Sequence, residues 1–256
     1  MSSELVYHYC SLEALKGIVE SKTLWASSFR YMNDHSEVLV SQNALAENHD
    51  VLLGDLAASK AHQPLKRALK RVSAQELEFY IVSFCRQPDK LSQWRYYADN
   101  GKGVAIGFRR ASFGGLLLKD VSYGGLAPGL TALCAALANG FTKDNRAFKH
   151  LCTRELIELI GLTKSEAFVE EDECRLIAFH DRHDPATKVR FRRSGNFLVP
   201  FVEIDLTPNW SERIEDVWLG PAIQDELATQ SVRHFLHSNG VTDVTLSTSN
   251  APFRPF

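Results

Sequence analysis

Glu171-Asp172-Glu173-Cys174-Arg175-Leu176-Ile177-Ala178-Phe179 is where the chain changes character. Before it, two helical stretches run over about 128–139 and 144–160. After it, Val189–Arg193, Phe197–Asp205 and Arg213–Trp218 alternate or run apolar, as strands do. Cys174–Phe179 itself reads as a strand. Entered near Asp172, it carries Glu171, Glu173, Arg175, Ile177 and Phe179 on one face. Cys174, Leu176 and Ala178 take the other, because successive side chains alternate. The first face starts charged and ends apolar, the profile of a strand whose far half lies in a core while its near end borders a cleft. Two carboxylates about 7 Å apart, with an arginine beside them, can hold unequal protonation states. The same pattern fits a frayed strand end with solvated charges.

Outward from this stretch, the order of elements sets the fold class. Leu5–Cys10 is rich in β-branched and aromatic residues and reads as a strand. Ser11 can cap the helix that follows, in which Leu12, Leu15, Ile18 and Val19 recur at helical spacing to about Ser21. Thr23–Ser27, Glu78–Phe84 and Val104–Phe108 are further strands. Residues 36–78 read as helical, with breaks at Gly54 and Pro64. Downstream, Gly220-Pro221 opens a helix with Pro at its first position. Ile223, Leu227, Val232, Phe235 and Leu236 line the buried face of that helix, and Gly240 ends it. Thr242–Ser247 is the last strand. Strands at both ends of a helical middle predict an α+β fold: one domain over 1–256, with a mainly helical insertion around 36–78 and helices around 126–169. No strand leads into Gly-x-Gly-x-x-Gly and no Gly-Lys-Ser/Thr loop exists, which argues against the usual dinucleotide and NTP folds.

Composition narrows the function classes. The 256 residues carry 29 Lys+Arg against 31 Asp+Glu, a formal charge of −2, which argues against a broadly basic nucleic-acid wrapper. No apolar run reaches the roughly 18 residues of a membrane span. The start, Met1-Ser2-Ser3-Glu4, shows no basic region leading into an apolar stretch. Cys10, Cys85, Cys134, Cys152 and Cys174 form no Cys-x-x-Cys pair, which disfavours a disulfide framework or a zinc module. The expectation is a cytoplasmic protein with no membrane partner.

Three groups of residues could carry chemistry. The first is the pair Glu171 and Glu173 with Arg175. The second is His8, which shares a strand face with Val6 and Cys10 while Tyr7 and Tyr9 point the other way; a histidine there serves either structure or chemistry. The third is Trp94 and Tyr97, three positions apart on one side of a helical turn, either core or a stacking wall for a flat ligand. His180-x-x-His183-Asp184 and His234-x-x-His237 lack the His-Glu-x-x-His pattern and a third ligand, so no metal is expected.

A resemblance adds to this reading. Its residues are Tyr7–Glu13, Leu24–Ser27, Arg30–Asp34, Ser36-Glu37, Ser92–Arg95, Tyr97-Ala98, Gly101–Phe108, Lys164, Phe168-x-x-Glu171-x-Glu173-x-Arg175-Leu176 and Gly220-Pro221. Together they resemble an uncharacterised bacterial family that opens with Tyr-His-Tyr-Thr-Ser and a Leu-x-x-Ile-Leu helix. Cys10 stands where Thr is usual there, and Phe253 where Tyr is common. The layout is in turn distantly similar to the ADP-ribosyltransferase fold, with split mixed or antiparallel β-sheets and here an inserted helical layer.

That similarity implies NAD as substrate, with His8 at the adenosine-side ribose, Tyr97 or Trp94 on the nicotinamide and Glu173 at the nicotinamide ribose. It makes Glu171 the acid that orients or deprotonates the acceptor, and places Tyr9, Ser27 and Arg175 in the cofactor-binding set. The implied activity is cleavage of the nicotinamide bond and transfer of ADP-ribose to a protein or nucleic acid, as in a toxin or phage-defence effector held by an antitoxin. Two rival readings are a non-catalytic nucleotide- or protein-binding module of the same fold, and a nuclease-type effector that would need a metal site.

Overall fold

The computed structural model describes residues 4–32, 66–67, 70, 78–113, 117–124, 129, 133, 145–179, 188–223 and 225–253. The helices expected over 36–78 and 128–139 lie, apart from isolated positions, outside the described residues, as does His180-x-x-His183-Asp184.

The chain opens with β1 (Leu5–Cys10), α1 (Leu12–Ser21) and β2 (Thr23–Ser28). Next come β3 (Phe79–Cys85), α2 (Leu91–Tyr96), β4 (Val104–Arg109), β5 (Leu117–Asp120) and β6 (Ser122–Tyr123). Then follow α3 (Asn145–Gly161), β7 (Thr163–Lys164), β8 (Glu173–Phe179), β9 (Arg190–Ser194) and β10 (Phe197–Asp205). The described part ends with β11 (Ile214–Leu219), α4 (Glu226–Ser238) and β12 (Thr245–Thr248). Among the described residues, ten strands form one sheet in the order β12-β11-β4-β1-β3-β2-β10-β9, with β8 pairing β3 and β5. Its pairings are antiparallel except β11 with β12, so the fold is α+β with a mixed sheet. No helix among the described residues is long and apolar enough to cross a membrane.

One strand organises the rest. Along its whole length, one edge of β3 pairs with β8, from Phe79↔Phe179 to Cys85↔Glu173. Its other edge is shared: β1 meets it at Tyr7↔Cys85, and β2 at Ser27↔Ile81 and Ser28↔Tyr80. Val82, Ser83 and Phe84 lie between those two meetings, so the sheet opens there.

Alternation sorts the side chains. Val6, Cys10, Leu24, Ala26, Tyr80, Val82, Phe84 and Cys174 belong to the main core, which α1 and α4 cover with Leu15, Ile18, Val19, Val232 and Leu236. Tyr7, Tyr9 and Cys85 face the other way and form a smaller cluster with Trp94 and Ala98 around α2. α1 forms as expected: the Ala14 amide donates to Ser11 Oγ at 3.1 Å, and the chain leaves the helix through a left-handed Lys22.

The Gly220-Pro221 reading is corrected. The helix begins at Glu226, where Asp225 accepts from the Leu227 amide at 2.8 Å and so supplies the cap. Gly220 instead crosses the 101–103 loop: its amide donates to the Gly103 carbonyl at 2.9 Å, and the Ala222 amide to that of Gly101 at 3.0 Å. Ile223 therefore precedes the helix, and Leu227, on its first turn, is 70% exposed.

Backbone proximity sets the tolerance of two glycines. A Cβ on Gly103 would lie 2.1 Å from the Cys10 carbonyl oxygen, whereas one on Gly17, inside α1, would meet nothing within 4 Å. Gly103→Ala is expected to destabilise by about 1–3 kcal/mol or more, and Gly17→Ala to stabilise by about 0.5–1 kcal/mol. Urea unfolding of both variants checks this; shifts of the same sign would contradict the packing described.

Candidate functional site

A cleft of about 410 Å³ lies at the opening in the sheet, within the usual size of small-molecule sites. Residues of one strand face meet there across the sheet: Tyr7, Cys85 and Glu173 stand in register on β1, β3 and β8. Ser27 is in register with Ile81 on β2 and β3. Gln93, Tyr96 and Tyr97 form a wall from α2 and its exit.

His8 belongs by alternation to the opposite face, yet it lines the cleft because β1 and β3 have separated beside it. Its Nδ1 is 3.0 Å from the Ser83 carbonyl oxygen, and its ring stands edge-on to Phe84 at 5.8 Å. A carbonyl only accepts, so Nδ1 carries the proton, and the neutral ring keeps Nε2 as an acceptor. Burial lowers the His8 pKa below 6.5, against a smaller opposing effect of the Ser83 carbonyl. The imidazole is therefore neutral near pH 7.

The acids are built differently from the sequence pattern. Glu171 is not on the strand. A 3₁₀ segment, Glu166–Glu171, ends at Asp172 in the left-handed conformation (φ 47°), and β8 starts only at Glu173. Asp172 is held there by Arg86 Nη1 at 2.9 Å. The two carboxylates come together through Lys164, whose Nζ donates to Glu171 Oε2 at 2.6 Å and to Glu173 Oε2 at 3.3 Å.

Arg175 grips Glu173 with both ends of its fork, Nε to Oε1 at 2.7 Å and Nη2 to Oε2 at 2.9 Å. Its Nη1 donates to the Gly161 carbonyl at 2.9 Å. The Tyr123 hydroxyl accepts from the Glu173 amide at 2.9 Å, fixing the first residue of the strand. Desolvation pushes the Glu173 pKa up, but Arg175 and then Lys164 outweigh it and hold the carboxyl below 4.5.

The charged end of this strand borders the cleft as its profile implies, but the far end is not the more buried one: Glu173 and Arg175 are 6% and 2% exposed, while Phe179 is 36% exposed. Paired charges with filled hydrogen bonds can be buried where single ones cannot.

The expected site residues separate into two groups. His8, Tyr9, Ser27, Tyr97, Glu171 and Glu173 line the cleft; Trp94 and Arg175 do not. Trp94 is fully buried, edge-on to Tyr9 at 4.8 Å, and its Nε1 donates to Asp89 at 2.7 Å. It parts from Tyr97 because α2 ends at Tyr96, so the helical spacing that would align them stops. Arg175 acts on Glu173 rather than on a ligand.

Tyr9 supports the wall from beneath, donating to the Gln87 carbonyl at 2.8 Å and accepting from the Lys90 amide at 3.0 Å. Asp89, which holds Trp94, also accepts from Ser249 Oγ and from the Asn250 amide, and Phe253 packs on Gly101 just beyond. Sequence reasoning missed Tyr7, Trp25, Tyr31, Tyr96 and Arg192 in the lining. The alternation of Arg190, Arg192 and Ser194 along β9 was the signal for the last of these. Among the described residues no group of His, Cys, Asp and Glu has the arrangement of a metal site; His234 and His237 lie on exposed positions of α4.

Residues 93–176 match the family model described as "Protein of unknown function (DUF2971)". The match takes in most of α2, with Tyr96, and Tyr97, Glu171 and Glu173, and leaves out β1–β3 with His8. The chain is thus similar to an uncharacterised family over that part of its length. No curated protein matches the chain, and no solved structure does.

Removing one member of the buried charge group leaves Arg175 without its carboxylate. Glu173→Gln is expected to cost about 3–5 kcal/mol near neutral pH. Because the folded pKa lies below the unfolded value of 4.5, this contribution is complete above that value and is lost as pH falls through the folded pKa. Urea unfolding of both proteins at pH 7 and in steps below 4.5 should show the gap closing with acid. A gap that does not change with pH would mean that Glu173 is not the stabilising anion.

Proposed function

We propose that the cleft binds NAD and that the protein is an ADP-ribosyltransferase-like enzyme, cleaving the nicotinamide–ribose bond and passing ADP-ribose to a macromolecule. One observation carries the reading: His8 from β1 and Glu173 from β8 border a single nucleotide-sized cleft where the sheet divides. In this chemistry the carbon–nitrogen bond breaks and its electron pair leaves with nicotinamide, neutralising that ring. The ribose acquires oxocarbenium character, and a fixed carboxylate strengthens its hold on the sugar hydroxyl as the charge develops. Glu173 is kept anionic for this role. Neutral His8 can accept a hydrogen bond from a sugar hydroxyl at Nε2, and Tyr97 offers a ring to the departing nicotinamide. Glu171 takes the proton of the acceptor as its oxygen or nitrogen bonds to the sugar carbon.

A second reading rests on the engagement of Glu173: both its oxygens already accept from Arg175, and one also from Lys164. A carboxylate so occupied suits a non-catalytic nucleotide-binding module of the same shape.

Nicotinamide release from NAD separates the two. With lysate protein, DNA and RNA offered as acceptors, the wild type is expected to release nicotinamide. Glu173→Gln should lower the rate by about 100-fold or more, and Tyr97→Ala, at a partly exposed wall position, should raise KM. Circular dichroism of each variant guards against simple unfolding. A silent wild type, or a Glu173→Gln protein as active as its parent, rejects the enzyme; saturable NAD binding by calorimetry without release selects the module.

A further inference from the structure

Arg192 is a half-buried cation in the cleft with no carboxylate partner among the described residues. It stands on β9 opposite Val199 of β10, and its side chain crosses toward β2, where Nη2 donates to Ser27 Oγ at 3.2 Å. Burial lowers its pKa. Other arginines differ. Arg190, on the same strand face, pairs with Glu203 at 3.1 Å, Arg30 pairs with Glu78 at 3.5 Å, and Arg175 holds Glu173. A guanidinium has five N–H donors in a planar fork, and among the described residues Arg192 makes one hydrogen bond, to Ser27. A desolvated charge of this kind is stabilised by an anion that takes two donors at once, as a phosphate does. Ser194 lines the same end.

Two aromatic rings flank this end. Trp25, 46% exposed, is stacked at 4.4 Å on Phe201. Tyr31, 44% exposed, stands edge-on to Phe197. Both line the cleft. An anion site beside rings with open surface suits a phosphate attached to a flat base.

The geometry points to Arg192, with Ser27 beside it, as the subsite for the phosphates of a nucleoside diphosphate group, with its base received by the Trp25 and Tyr31 end of the cleft. This rests on the reading of the cleft as a nucleotide site but not on bond cleavage, and it gives the cleft a direction, phosphates toward β9 and β2 and the sugar end toward β8.

Calorimetry with ADP, adenosine and inorganic pyrophosphate tests it without turnover, since ADP has no nicotinamide bond to break. Wild type is expected to bind ADP at least about tenfold more tightly than adenosine or pyrophosphate. Arg192→Gln should bring ADP down to the affinity of adenosine and leave adenosine unchanged; Arg192→Lys should fall between. Arg192 is partly exposed, and circular dichroism of the variants confirms their folding. No ADP binding by the wild type, or undiminished ADP binding by Arg192→Gln, overturns the assignment. Pyrophosphate binding as tightly as ADP overturns the nucleotide part of it. Nicotinamide release failing while the Arg192 dependence of ADP holds would remove the enzyme and keep the subsite; the reverse result would remove the subsite alone.

Discussion

The edge of β3 is too short for both its neighbours, and the rest of the site follows from that. β1 takes the pairing at Cys85 and β2 takes it at Ile81 and Tyr80, so the intervening backbone has no paired strand on that edge among the described residues. Exposed sheet edges leave polar groups to be satisfied by something else. The His8 imidazole supplies one answer by donating to the Ser83 carbonyl. The same gap places a cleft in the middle of a sheet rather than at its rim, with side chains of β1, β2, β3 and β8 around it.

The acid end of the cleft is a group of charges that neutralise one another. Two carboxylates face two cations, all nearly buried, and each contact has hydrogen-bond geometry. Taking such ions out of water is costly, and their attraction repays the cost only when geometry is good and further hydrogen bonds assist. Backbone contributes here as well as side chains: the Gly161 carbonyl accepts from Arg175 Nη1, and Tyr123 holds the Glu173 amide. The arrangement fixes Glu173 as an anion in a fixed orientation, at the expense of the number of lone pairs it can offer.

Much of the sheet was legible because alternation and turn chemistry are local. The strands at 5–10, 79–85, 104–109, 173–179 and 197–205 and the Ser11 cap follow from residues that are neighbours in sequence. What was not legible depends on distant partners. Glu171 and Glu173 looked like strand neighbours, but a left-handed Asp172, tied to Arg86, breaks the alternation, and Lys164 reunites them. Trp94 and Tyr97 looked like one wall until the helix between them ended. Pro221 looked like a helix start, whereas the close crossing of Gly220 over Gly101 and Gly103 claimed it for a turn. For Arg192 the local signal was only the alternation along β9; the sheet order that brings this strand within reach of Ser27 gives the residue its place.

Asp89 links two parts of the chain that are far apart in sequence. It receives Trp94 from α2 and Ser249 and Asn250 from the segment after β12, while Phe253 rests on Gly101. Tyr96 and Tyr97, the aromatic side of the cleft, therefore have their footing on residues 249–253 as much as on α2 itself. Losing the contacts of residues 249–253 would take partners from Asp89 and cover from Gly101 on either side of α2, so the late segment bears on the aromatic side of the cleft through packing alone.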